Sequence, residues 1–569
     1  MEYKNEKRTC QNCHKDFIIE PEDFNFYEKM KVPPPTWCPE CRMIRRLSFI
    51  NVWNLYWKNC DKCGKRTMSM FSPENKNKVF CNLCWWADDW DGTEYGMDYN
   101  SSRPFLEQLK ELSAKTPYAA LETLYTSLKN SDYSNGLSWC KNCYQIFWAD
   151  YCENVYYSSI LSGLKWSADC VRGFNSELCY ESVGFSRNYR TFFSDECDDC
   201  VDVWFSRNCY SCTNCIGCVN LRGATNCIFN VKYPKEEYKK RLSSLKFDSW
   251  KNLDEFRKKA FEFWLSKSYR EYNGHSLNLN VTGEHVYTSK NSKECFIVNG
   301  AENCKWCQLV SIGPIKDCWD YSGWGNNAML IYECSAVGEN VGNTMFSYRC
   351  TPDIMNSQYC FVNIAGKNNF GCVNLKRKSY CILNKQYDRE KYEELIGKIM
   401  EDMKRNPYID KKGRKFFYGE FPPLEISTFS YNESVAMRFF PKTKEQALAE
   451  GYNWSEGKHP AYKISIDASS LPNTIIETKD SILNEIIKCL SCDYAYRITK
   501  GELDLLRKMN LPVPHECPKC RENSRFNRMT KPGMYHRNCA KCGSPIYTPY
   551  SSSDPRIVYC VKCYQTEFL

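Results

Sequence analysis

Cys10-Gln11-Asn12-Cys13 is followed after 24 residues by Cys38-Pro39-Glu40-Cys41, after 18 more by Cys60-Asp61-Lys62-Cys63, and after 17 more by Cys81-Asn82-Leu83-Cys84. The far end of the chain repeats the pattern. Cys489-Leu490-Ser491-Cys492 leads through 24 residues to Cys517-Pro518-Lys519-Cys520, through 18 to Cys539-Ala540-Lys541-Cys542, and through 17 to Cys560-Val561-Lys562-Cys563. Three matched gaps between four such pairs mark an internal duplication.

The residues between the cysteines agree with it. Phe17 and Tyr496 each stand four positions past a second cysteine, where a first strand would place an apolar side chain. Residues 22–31 and 502–510 read as short helices ending at proline turns, Pro33-Pro34-Pro35 in one copy and Pro512 with Pro514 in the other. Arg42 and Arg521 follow the CPxC pair directly, and Arg46 and Arg525 come four residues later. Cys63-Gly64 and Cys542-Gly543 then open a second unit, which closes as Val79-Phe80-Cys81 and Val558-Tyr559-Cys560.

A tight C-x-x-C knuckle turns two thiolates toward one metal, and a second knuckle completes a tetrahedron. Zn²⁺, redox-inert and at home with thiolate sulfur, suits such a set best, with iron in a rubredoxin-like site as the alternative. Four cysteines leave no open position, so these sites are expected to be structural, with about four Zn²⁺ per chain. Sequential pairing would make each unit a self-contained knuckle–hairpin–knuckle, whereas an interleaved, RING-like brace uses the same order of pairs.

The two stretches 10–42 and 489–521 resemble the "probable zinc-ribbon" family, whose pattern runs CxxC, an aromatic, an acidic helix, a proline turn and CPxCR. The whole chain is similar to large candidate-phyla bacterial proteins in which paired zinc ribbons flank a cysteine-rich repeat region. The likeness extends through Tyr431-Asn432-Glu433, Phe440-Pro441-Lys442-Thr443-Lys444-Glu445 and Gly451-Tyr452. It implies an architecture and no particular activity. His14 and Asp493 stand where that family usually has glycine.

The middle holds 21 of the 37 cysteines, and it too is duplicated. Gly217-Cys218-Val219-Asn220-Leu221 recurs as Gly371-Cys372-Val373-Asn374-Leu375. In each copy a Cys-Ile-x-Asn follows (Cys227 to Asn230, Cys381 to Asn384), then Tyr233 or Tyr387 and a charged helix, all at an offset of 154. Those helices are expected at about 235–245 and 389–403, with another at 251–266. Inside the first block Cys143, Cys152, Leu161, Cys170, Cys179, Asn188 and Cys197 are nine residues apart, and Cys200, Cys209, Cys218 and Cys227 continue the spacing. The second block is less regular. Short aromatic strands between Ser/Asn/Gly turns suggest a β-solenoid-like stack with cysteines over one another. Cys209, Cys212, Cys215 and Cys218 also run in C-x-x-C steps, but no Cys-Pro of the bacterial ferredoxin type follows them. Buried small hydrophobes filling narrow coils is the reading that the spacing favours.

The formal charge of +9 suggests a polyanion partner until the metal is counted. Residues 489–563 carry 13 basic against 6 acidic side chains, and residues 1–86 carry 15 against 10. Each Zn(Cys)₄ contributes −2, so four sites bring the whole chain to about +1. What remains is local: Arg521, Arg525 and Arg528 fall on one helical face, Arg42, Arg45 and Arg46 do something similar, and such faces can grip phosphates or edge a solvated helix. Trp85-Trp86, with Asp88, Asp89, Trp90 and Asp91, is too acidic for that and reads as a packing lid or a protein contact.

The sequence shows no signal peptide and no apolar run of membrane length, so a cytosolic compartment with reduced thiols is expected. The histidines, His14, His275, His285, His459, His515 and His536, are scattered, and no Walker loop, GxGxxG or GxSxG is present. No catalytic constellation or small-molecule substrate emerges. The expected fold is α+β and multidomain: tandem zinc-ribbon or treble-clef modules at 1–100 and 486–569, a helical linker at 101–136, cysteine-rich β blocks with capping helices at 137–270 and 271–405, and a linker domain at 406–485. Thr443 is expected to cap a short helix near 444–450. The expected role is a structural or interaction protein with a protein partner or self-association. A nucleic-acid binder using the arginines and a redox or iron–sulfur protein using the central cysteines are the alternatives.

Overall fold

From Gly136 to Phe229 every third residue turns the backbone into the left-handed region; Trp139, Asn142, Gln145, Trp148 and Tyr151 begin the series with φ between 50 and 55°. The computed structural model describes residues 3–274, 277–457 and 462–567, so His275 and His459 lie outside the described residues. Each left-handed corner sends the next side chain inward. Those inner positions, at steps of three from Cys140 through Ile146, Cys152, Ser158, Cys170, Cys179 and Ser206 to Cys218, are buried. Strands pair in parallel at an offset of twelve: Asn135 with Phe147, Tyr144 with Tyr156, Val171 with Val183, Val201 with Thr213. Four corners per twelve residues make each rung a closed four-sided ring of three-residue sides.

The second stack, from Leu279 to Ile382, follows the same plan with looser rungs. Its offsets run from 11 (Leu279 with Lys290) through 14 (Ala301 with Ile315) and 13 (Ile315 with Ala328) back to 12 (Lys367 with Ser379). This is why its cysteine spacing looks irregular in the sequence.

Each rung of the first stack is thus twelve residues, so cysteines nine apart do not stand over one another. A residue nine further on lies one side short of a full rung. There its carbonyl accepts from the cysteine thiol: Cys140 Sγ to Ala149 O at 3.5 Å, Cys143 to Cys152 O at 3.5 Å, Cys200 to Cys209 O at 3.5 Å. Inner serines work along the stack instead. Ser158, Ser167 and Ser206 Oγ accept from the N–H of Cys170, Cys179 and Cys218, twelve residues on. Sides of three residues leave room for little else. At Gly173 a Cβ would stand 2.6 Å from the Phe185 ring of the next rung, so the glycine makes space for it.

An αL conformation costs most L-residues about 1–2 kcal/mol, and asparagine least. Asparagines accordingly form ladders at several corners. Asn130, Asn142 and Asn154 are linked side chain to side chain, as are Asn343, Asn356 and Asn368.

Both stacks end in the same way, which explains the repeated Cys-Ile-x-Asn. Asn230 and Asn384, at φ 64 and 65°, turn their amides back onto the previous rung. Asn384 Oδ1 accepts from Val373 N at 2.7 Å and its Nδ2 donates to Val373 O at 2.8 Å; Asn230 does the same to Val219 at 2.9 Å each way. The side chain stands in for the absent next rung, and an antiparallel turn with helix Lys235–Leu245 or Arg389–Arg405 covers the open edge. Among the described residues there are twelve α-helices, and none is long and apolar enough to cross a membrane. Helices Pro21–Met30, Lys500–Met509, Trp250–Lys267 and Lys444–Ala449 stand where the sequence placed them, the last capped by Thr443 Oγ1.

Replacing fully buried Asn384 by alanine removes both bonds to Val373 and a third to Gly92 O at 2.9 Å. Stranding those backbone groups is expected to cost about 2–4 kcal/mol in denaturant unfolding. Aspartate, which sets a carboxylate oxygen against the Val373 and Gly92 carbonyls in a fully buried site, should recover none of that.

Candidate metal centres

The sixteen terminal cysteines gather into four quartets in sequential order: Cys10, Cys13, Cys38 and Cys41; Cys60, Cys63, Cys81 and Cys84; Cys489, Cys492, Cys517 and Cys520; Cys539, Cys542, Cys560 and Cys563. Within each quartet all sulfurs lie within 4.8 Å of one another, and the interleaved alternative does not occur. Four thiolates at 2.3 Å from a tetrahedral ion would be about 3.8 Å apart. Cys13 to Cys38 is 3.8 Å, Cys63 to Cys81 3.9 Å, Cys492 to Cys517 3.7 Å and Cys542 to Cys560 3.8 Å. The donor set and the spacing fit one four-coordinate ion per quartet.

Each quartet is built the same way. A two-stranded hairpin carries the first pair: Glu6–Thr9 with Asp16–Ile19, Tyr56–Asn59 with Arg66–Ser69, Tyr535–Asn538 with Pro545–Thr548; in the third quartet, shorter strands Ile487–Lys488 and Ala495–Tyr496 do so. The second pair opens a helix, with Cys38, Cys81, Cys517 or Cys560 at its N-cap. That cysteine's own N–H donates to the first sulfur of the quartet at 3.1–3.2 Å in every case. Such donors favour thiolate. Burial pushes the Cys60 thiol up, yet the N–H groups of Cys63, Cys81 and Lys62 outweigh it and bring it down to about 7. At Cys542 the Ser544 hydroxyl and N–H lower it to about 6. His14 takes the same left-handed knuckle conformation as Gly64 and Gly543, with φ 59° against 72 and 74°.

The 21 central cysteines are buried inside the stacks and form no such group among the described residues. The one other cluster of metal-type side chains is Glu196, Glu284 and His285. Arg270 lies among them, paired with Glu196 and, at 3.1 Å, with Glu284, so a cation already holds these carboxylates.

The arginines after the CPxC pairs are not a surface for phosphate. Arg42, Arg45, Arg46, Arg521 and Arg525 are each 4% exposed or less. In the first module Arg42 and Arg46 meet Asp320 at 2.8 and 2.9 Å, and Arg45 meets Glu333 at 3.0 Å and Glu420 at 3.2 Å. In the last module Arg521 and Arg525 meet Asp169 at 2.5 and 2.8 Å, Arg521 also meets Glu502 at 2.9 Å, and Arg528 donates to Glu181 O at 3.1 Å. Asp320, Glu333 and Asp169 all sit at left-handed corners of the stacks. The helical face seen in the sequence is real, but it faces carboxylates of the same chain. Trp85 is a lid, 1% exposed, with Lys376 Nζ donating to its carbonyl at 2.8 Å.

The attachments are crossed. The first module's CPxC helix rests on the second stack, and the last module's on the first. The second ribbon of each module then pairs with the strand that leads into the other stack. Val79–Phe80 lies parallel to Tyr118–Ala119 ahead of the first stack, and Ile557–Tyr559 parallel to Tyr269–Glu271 ahead of the second. Each module therefore bridges both stacks. The chain matches no protein-family model and no curated protein.

Removing one partner of a buried ion pair leaves an uncompensated charge, at a cost of about 3–5 kcal/mol. Arg521→Ala and Arg42→Ala should each lose that much in equilibrium unfolding, and Asp169→Ala combined with Arg521→Ala should cost clearly less than the sum. A second expectation concerns pH. Burial pushes Glu333 up to about 6, against the pull of Arg45 and Arg46. The folded chain then holds this proton more tightly than the unfolded chain, so the stability that Glu333 contributes in acid, about 2 kcal/mol in all, is lost as pH rises from below 4.5 to above 6. A ¹³C-carboxyl titration should place its midpoint near 6.

Proposed function

We propose that this is a zinc-dependent structural and interaction protein, in which four Cys₄ zinc sites brace two β-solenoids into one body. The gathering of four sulfurs within 4.8 Å of one another in each of four duplicated quartets carries the reading, because it fits a closed tetrahedral shell with no position left for substrate or water. Structural zinc of this kind supplies folding free energy, and does so by fixing the short helices whose arginines reach the stacks. Two observations support the solenoid interpretation: the constant parallel register of the first stack and its closed, four-cornered rungs.

With the arginines and the lid tryptophan engaged inside the molecule, the outer sides of the stacks are the surface offered to others. Exposed aromatics favour a protein partner or a second copy of the chain there. Trp139 and Tyr151, 58% and 62% exposed, stack one rung apart with rings 3° from parallel. Phosphate recognition has lost its proposed residues, and the central thiols, buried together and donating to backbone carbonyls of their own stack, favour packing over a cluster.

Metal analysis of the purified chain should give about four zinc ions and a colourless solution. Dialysis against a strong chelator should abolish cooperative unfolding. Fewer than three metals per chain, or a brown protein with visible absorbance, would overturn the reading. Trp139→Ser with Tyr151→Ser should leave metal content and melting temperature in place while lowering any self-association seen by sedimentation equilibrium.

A further inference from the structure

The two modules have identical cysteine spacing but not identical surroundings, and the difference is greatest at their second ribbons. In the first module Cys60 belongs to the largest apolar core of the molecule, together with Phe80, Trp85 and Trp90. In the last module Cys539, Ile546, Tyr550, Val558 and Cys563 form a small core of their own. Its helix Val561–Gln565 carries Tyr564 and Gln565 where the first module has Trp85 and Trp86. The thiols themselves are alike, with Cys542 and Cys63 both exposed and Cys560 and Cys81 both half-buried, so the difference lies in the apolar side chains around them.

Beyond one short strand pair, this ribbon is joined to the rest by the Tyr269 ring against Tyr559 and Tyr564, by Tyr547 OH to Glu294 at 3.4 Å, and by a few further bonds. Ile557–Tyr559 pairs with Tyr269–Glu271, Tyr272 N donates to Tyr559 O at 2.9 Å, and Thr548 Oγ1 donates to Tyr272 O at 2.6 Å. Tyr550 OH accepts from Arg270 Nη1 at 2.8 Å and itself donates to Glu284. Arg270 in turn pairs with Glu196 of the first stack and Glu284 of the second. The segment held by the fourth ribbon is thus the one that ties the two stacks together at this end.

We propose that the fourth quartet, Cys539, Cys542, Cys560 and Cys563, is an exchangeable zinc site that works as a latch on the segment 269–272, whereas the other three sites are permanent. This rests on the reading of the quartets as zinc sites. Five buried side chains cannot hold a ribbon folded without its metal. Loss of the ion lets Ile557–Tyr559 leave, wets the Arg270 pairs and loosens one stack against the other. The second quartet does not behave so: Cys60 shares the main core with Phe80, Trp85 and Trp90, so its ion can leave only when that core opens. The arrangement makes the relative position of the stacks responsive to free zinc.

The test uses the full zinc-loaded chain and an excess of a chromogenic zinc chelator at neutral pH, with hydrogen exchange followed in parallel. One zinc of the four should leave at least about tenfold faster than the rest, as expected for a locally opening unit. Protection should fall at 269–272 and 539–563 while 118–119 and 60–84 keep theirs. Cys542→Ser should retain three zinc ions and nearly the full melting temperature, and Cys63→Ser, at the matching exposed position, should lower it far more. Release in a single phase, release in two pairs, or equal effects of the two substitutions would overturn the latch. Fewer than three zinc ions in the untreated chain would instead remove the reading beneath it.

Discussion

The contact between the CPxC helices and the stack carboxylates governs the rest of the structure. Five guanidinium groups are taken out of water there, a loss that only well-placed carboxylates can offset. Placement depends on the metal sites. Cys38 and Cys517 are both sulfur donors and N-caps, Pro39 and Pro518 stand at the first helical turn, and Arg42 and Arg521 follow one residue after the last cysteine of their quartets. A helix of 9 or 11 residues has little stability of its own. Fixing its first turn with two thiolates fixes where its arginines begin. Zinc in this reading never meets the partner carboxylate, yet it decides whether the guanidinium arrives in the right place.

The same residue type serves two purposes in this chain, and geometry alone separates them. In the knuckles a cysteine pair is presented by a hairpin turn, with N–H groups aimed at sulfur, so negative charge is welcome. Inside the stacks the thiol hydrogens point at carbonyls two residues back and nine ahead, an environment that suits a neutral donor. Cys179 and Cys197, for example, have thiols held well above the usual range, chiefly by burial. A narrow interior needs small side chains that tolerate polar walls, and cysteine shares that task with serine, alanine and asparagine.

Much of this was legible from the sequence because it is local. The quartets, the charged helices after each block and the Thr443 cap rest on spacings of a few dozen residues or less, and each duplication repeats such a local pattern at a fixed offset. Two readings went astray for want of long-range information. The face made by Arg42, Arg45 and Arg46 is visible in any helical projection, but its partners Asp320, Glu333 and Glu420 lie far along the chain. Single acidic residues inside otherwise apolar repeats, such as Cys318-Trp319-Asp320 and Tyr332-Glu333-Cys334, were the available signal. The nine-residue rhythm was also genuine, though it stepped through inner positions three sides apart and not from one rung to the next. The three-residue repeat itself was hidden, because its corner accepts Trp, Gln, Glu, Phe and Asn alike and only the backbone angle is shared.

That three-residue step gives the stacks a property of a ratchet. Lengthening a stack by twelve residues adds one rung and returns every later side chain to its old face. Adding three residues keeps the interior filled and the hydrogen bonds paired, but rotates everything downstream by a quarter turn. Asp169 or Asp320 would then look away from its arginine. Inner packing tolerates growth in triplets, whereas the crossed modules accept it only in whole turns, so the cysteine-quartet arms keep the count that the stacks themselves cannot.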